Sequence, residues 1–223
     1  MRTPAAHYPV SALTAKVLCA AHNRQLSELD TAAAHAFRKM REFQADFDRG
    51  AQRATSASAT VDGSALERWM LKLTFGMLAA RQLRNPQRNQ PIVSVRPGYD
   101  LTLLRVLFLG EAWPENWGIY FNASVGQHFA APTKPDGSHS EFAIEPFIFD
   151  ADGSLWGLRV WFRSFGWLLS LGTPNNLTAA MYRPGALRLR RNGDPGLRTL
   201  HFSWAHDGKE HVVLEVTRVG ELP

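Results

Sequence analysis

Residues 66–83 carry apolar side chains nearly all the way round a helix, and a helix of that kind has to be buried. Leu66, Trp69, Met70, Leu73, Met77 and Ala80 form one stripe, while Leu71, Phe75 and Leu78 make the opposite side apolar too. The charges Glu67, Arg68 and Lys72 sit in the first turns. Ser64-Ala65-Leu66-Glu67 reads as a capping box, Ser64 accepting from the N3 amide and Glu67 reaching back to the N-cap amide. Any fold containing this helix must cover it on several sides, so it is expected to be central.

One cover is legible upstream. Leu29, Ala33, Ala36, Met40, Phe43 and Phe47 alternate at spacings of four and three, with Phe37 at the edge of the stripe and Arg38, Arg41, Gln44 and Asp48 off it. Ser27 with Asp30 is a weaker capping pair, and Gly50 ends the helix. Residues 51–62 are small and polar and read as a loop. The segment 84–97 holds three prolines and reads as a loop. Asp100 can cap a third helix that Gly110 stops.

From Trp117 onward the pattern becomes β. Residues 119–125, 141–149, 155–163, 187–191, 199–204 and 212–219 read as strands. Trp156, Leu158, Val160 and Phe162 alternate with Gly157, Arg159 and Arg163, and near Ser164 the apolar parity switches. That switch predicts a bulge or a second strand. The expectation is α+β: about three N-terminal helices followed by an antiparallel sheet of about six to eight strands. Residues 1–50 form an N-terminal unit and 63–223 the main domain, or both one compact body.

A chain of 223 residues with 45% hydrophobic and 20% charged residues is an ordinary globular one. The net charge of +5 rests on arginine, since there are five lysines, and it permits an anionic partner without demanding one. A single cysteine rules out an intramolecular disulfide. The N-terminus lacks a signal peptide's apolar core, and no apolar run reaches the roughly 18 residues of a membrane span. A cytoplasmic protein that does not enter the membrane is expected.

Cys19-x-x-His22 has the spacing at which two side chains grip one tetrahedral zinc, yet a structural zinc takes four ligands. The other histidines, His7, His35, His128, His139, His201, His206 and His211, form no second pair of that kind. The plainer reading makes Cys19 a small buried hydrophobe and His22 part of a helix start.

Leu18-Cys19-x-x-His22-Asn23, followed by Leu26 and a helix, resembles the second half of an HNH-type zinc-finger nuclease domain. His7-Tyr8-Pro9 stands where that family has its His-x-Pro element. The resemblance implies Cys19 and His22 as zinc ligands, His7 as general base and Asn23 at the catalytic metal. It spans about residues 5–30. A wider resemblance, to bacterial proteins of no assigned function, rests on Leu26-Ser27-Glu28-Leu29-Asp30 and Leu66-Glu67-Arg68-Trp69. The family's first cysteine pair is absent. Either the sequence starts downstream of that pair, or the domain has lost its zinc and with it nuclease activity. No cofactor is required by the chain as it stands, and zinc is the metal that the remaining pair would take.

Arg81, Arg84, Arg88 and Arg96 crowd one loop, and Arg183, Arg188, Arg190, Arg191 and Arg198 lie on or between late strands. Arginine forks suit phosphate, and a solvated rim accounts for the same pattern. Arg68 with Lys72 could bind an anion, His201, His206 and His211 could approach one another across a hairpin, and Glu141 and Glu145 share strand parity. The function expected is a nucleic-acid-associated, HNH-derived bacterial protein without nuclease activity, with Arg81, Arg84 and Arg88 as nucleic-acid contacts. The alternative is a non-catalytic protein-binding or assembly module using an aromatic-rich sheet.

Overall fold

The computed structural model describes residues 6–7, 20–49, 57–114, 116–122, 142–149, 152–163, 165–172, 181–191, 194–205 and 211–216. The N-terminal stripe forms two helices, α1 (Ala20–Gln25) and α2 (Ser27–Arg49). The start of α2 at Ser27 is not a fresh entry from a loop. The amide of Leu26 donates to His22 O and that of Leu29 to Leu26 O, so helical bonding runs through the junction. The Ser27 hydroxyl donates to the Arg24 carbonyl at 2.7 Å. The stripe itself is as expected: Leu29, Ala33, Ala36, Met40 and Phe43 are all buried. Gln44, expected off the stripe, is buried too.

Residues 57–62, expected in a loop, form a strand, β2 (Ala57–Asp62). It runs straight into α3 (Gly63–Ala79), whose N-cap is Asp62, its carboxylate accepting from Ala65 N at 2.9 Å. The expected capping box at Ser64 and Glu67 is not formed. Ser64 Oγ accepts instead from the amide of Ala205, and Glu67 turns inward. A cap two residues earlier fills the same need, which frees Glu67 for a buried partner. The central position of α3 is as anticipated: Leu66, Met70, Leu71, Met77 and Leu78 are buried, and the helix meets α2, strands of two sheets, and α4 (Asp100–Leu109). Asp100 is the first residue of α4 and Tyr99 its cap, and Gly110 ends it at φ +67°.

The strands build two sheets rather than one. The first holds β1 (Ala6–His7), β3 (Gly118–Asn122), β4 (Phe142–Ile148), β5 (Leu155–Phe162), β6 (Phe165–Ser170) and β7 (Met181–Tyr182), in the order β1-β4-β5-β6-β3-β7. Its pairs are all antiparallel. The parity switch near Ser164 is a hairpin, in which Phe162 faces Phe165 and Arg163 adopts φ +52°. The second sheet is mixed, in the order β10-β8-β9-β2, with β8 (Pro184–Arg191), β9 (Asp194–Ser203) and β10 (Val212–Val216). β8 and β9 are antiparallel, while β10 runs parallel to β8 and β2 parallel to β9. The architecture is α+β, with four helices among the described residues.

Aromatic rings join the layers. Phe43 of α2 meets Phe165 at 6.0 Å, Phe121 meets Trp167 at 5.1 Å, and Trp167 reaches Phe202 of the second sheet at 5.3 Å. Much of the aromatic content is therefore core. No helix among the described residues is long and apolar enough to cross a membrane.

Candidate functional site

The N-terminal motif is dispersed over different neighbours. Cys19 lies outside the described residues. His7 is in β1, where it pairs with Ala143 of β4. His22 is on α1, its ring tilted against Phe108 of α4 at 5.1 Å, and Asn23 beside it is exposed. Gln25 adds a hydrogen bond to the carbonyl of Phe108. Among the described residues no group of three or more His, Cys, Asp or Glu side chains is placed to hold a metal ion.

Several other expected constellations are taken apart. His201 is on β9 and His211 precedes β10, but β8 lies between those strands, so they do not flank one hairpin. His206 and Glu141 lie outside the described residues. Glu145 is paired with Arg159 opposite it, at 3.0 Å. Arg68 donates to Leu107 O at 2.7 Å, and Lys72 pairs with Asp30 at 2.6 Å and reaches Leu26 O. Those two cations fasten α3 to α4 and to α2. Among the late arginines, Arg198 of β9 is paired with Asp46 and Glu42 of α2, and Arg183 is buried.

Arg188 of β8 is exposed, and the side chains of Arg190 and Arg191 lie outside the described residues. The loop after α3 is a built hairpin. Between Glu67 and Asp100 the chain has no acidic residue and six cations. With Arg68 and Lys72 engaged in packing, Arg81, Arg84, Arg88 and Arg96 stay on the surface. The hairpin is closed by Ile92 N to Leu83 O and Asn85 N to Gln90 O, both 2.8 Å. Asn85 is buried, and its side-chain oxygen accepts from the amides of Gln87 and Arg88. Leu83, Ile92 and Val95 anchor the segment in the core, and Leu155 N donates to Ser94 O, which lays it beside β5. Rigid backbone with exposed guanidinium groups is the arrangement that positions charge for an anionic partner.

Arg81 supplies a further clue. The amide of Gln82 donates to Met77 O and that of Arg81 to Leu78 O, the pattern that closes a helix on a left-handed residue. Arg81 takes that left-handed position with φ +55°, where glycine is the usual occupant. A side chain held at such a position points to a use for it. Asp152, in the turn before β5, is one acid that feels this segment. The hydroxyl and amide of Ser154, and then Arg96, hold its carboxyl below the usual range.

Among the described residues, the most heavily bonded buried polar group is elsewhere. Glu67 and Arg183, both almost fully buried, form a two-point ion pair at 2.7 and 3.2 Å. Glu67 also accepts from Ile119 N at 2.7 Å, and Arg183 donates to Ile119 O at 2.9 Å. The guanidinium lies 3.8 Å from the centre of the Trp204 ring, whose Nε1 donates to Pro184 O. Gly118 has φ +106°, and a Cβ there would come within 2.0 Å of Glu67 Oε1. The knot joins α3 to both sheets, and both carboxylate oxygens are engaged. It is a structural lock that sequence reasoning missed, because Glu67 fitted a capping box and Arg183 a surface row.

No protein-family model, no curated protein and no solved structure matches this chain.

Proposed function

We propose that the chain is a nucleic-acid-associated protein that binds through the arginine hairpin of residues 81–96 and does not cleave its partner. The observation that carries this reading is the acid-free stretch between Glu67 and Asp100, whose four surface arginines sit on a hairpin anchored in the core. The HNH-like character of residues 18–23 belongs to the same proposal as a derived form. Its support is the sequence resemblance of Leu18-Cys19-x-x-His22-Asn23. Measuring binding of labelled DNA and RNA by fluorescence anisotropy tests it. The variant Arg81→Gln, Arg84→Gln, Arg88→Gln should weaken binding by about tenfold or more at low salt. An unchanged affinity in that variant would remove the hairpin from the account.

A second reading, a protein-binding or assembly module, draws on α4. Leu101, Leu104 and Leu109 are 65%, 38% and 69% exposed on the side of the helix away from buried Leu103, Val106 and Leu107. An apolar helix face in solvent suits a protein partner. Light scattering of wild type against Leu101→Gln, Leu109→Gln bears on it: a loss of self-association in the variant supports it, and a monomer in both cases weakens it.

A further inference from the structure

We infer that the nucleic acid taken by this surface is single-stranded, with its phosphates on the hairpin arginines and its bases against the rings at the β4–β5 turn. This rests on the proposed function and specifies its ligand. The two parts of the surface are contiguous. A Cβ on Gly153, in the turn between β4 and β5, would lie 3.8 Å from the side chain of Asn85 in the hairpin. Arg96, at the hairpin's end, lies over the rings of both Phe149 and Tyr99, at 5.0 and 5.6 Å. Phe149 follows β4 directly, and two residues before it Phe147 packs on Trp156 at 5.1 Å.

Tyr99, Phe147, Phe149 and Trp156 are only half-buried, unlike the core rings of Phe165 and Trp167. Flat faces beside cations fit a strand whose bases are free to stack. In a duplex the base faces are already occupied by neighbouring pairs, so rings at this edge would gain nothing from it. Among the described residues, the acidic groups beside this surface are Asp152, held by Ser154, Glu145, paired with Arg159, and Asp100, exposed next to Tyr99. Asp152 feels the charge of Arg96, while Asp152 and Glu145 have their hydrogen-bond and ion-pair partners in Ser154 and Arg159 rather than in Arg81, Arg84 or Arg88.

The test titrates the full chain with labelled oligo-dT of about 15 nucleotides and with a duplex of similar length. Wild type should prefer the single strand about tenfold or more. Trp156→Leu should weaken single-strand binding about tenfold and leave duplex binding within about twofold, while Trp156→Phe keeps both. Retention by the phenylalanine variant separates lost stacking from a folding defect. Equal or tighter duplex binding, or single-strand affinity unchanged in Trp156→Leu, overturns this inference and leaves the arginine reading standing. No binding of either nucleic acid at low salt overturns both.

Discussion

Arg81 and the Glu67–Arg183 pair show how differently two arginine sites can use the same side chain. At Arg81 the left-handed backbone costs about 1–2 kcal/mol relative to glycine, part of which the unfolded glycine chain takes back through its greater freedom. Arg81→Gly should therefore raise stability by about 0.5–1 kcal/mol in a urea melt while weakening nucleic-acid binding. A destabilised variant would mean that the Arg81 side chain is there for packing. At Arg183 the charge is buried against one partner, so removing one member strands the other. Arg183→Met should cost about 3–5 kcal/mol, and adding Glu67→Met should recover part of that loss. Gly118→Ala should cost at least about 2 kcal/mol, since the new Cβ meets Glu67 Oε1 in a backbone region that alanine avoids. Little of this was legible beforehand. Glu67 sits at the right spacing for a capping box, and nothing local reveals a partner 116 positions away.

Among the elements, those with strong internal periodicity were the readable ones. The α2 stripe and the buried α3 follow from spacing alone, because a helix's apolar face is set by residues three and four apart. β2 was not readable, since Ala57-Ser58-Ala59-Thr60-Val61-Asp62 has one large apolar residue. It becomes a strand through its pairing with β9, well over a hundred residues later, and through Val61, which is fully buried. The same distance explains why one long antiparallel sheet was expected: parallel pairing of β2 with β9 leaves no local mark. The start of α3 offers a discriminating experiment. Asp62→Ala should cost about 1 kcal/mol through the lost cap, whereas Glu67→Gln should act through the Arg183 pair and cost more. Equal small losses in the two variants, measured by chemical denaturation, would restore the capping-box reading of Glu67.

Across the whole molecule, charge is sorted by use. Arg183 and Arg198 tie the second sheet to the helices, and Arg68 and Lys72 tie the helices to one another. The arginines between α3 and α4 are left facing outward on a hairpin that the core holds in place. The candidate residues Arg81, Arg84 and Arg88 were visible as a cluster in the sequence. The absence of acid around them was equally visible, but the stretch between Asp152 and Asp194 is acid-free too, so it is the core-anchored hairpin that sets them apart. The His7, Cys19, His22 and Asn23 set rested on resemblance, and His22 now has Phe108 as a neighbour.

The central claim is that these outward arginines meet phosphates, and salt dependence reads that directly. Each phosphate neutralised adds about 0.7 to the slope of log affinity against log salt for a single strand, and about 0.9 for a duplex. Wild type should show a steep slope, and Arg81→Gln, Arg84→Gln, Arg88→Gln should flatten it by about two units or more. The same slope in both proteins would contradict the claim.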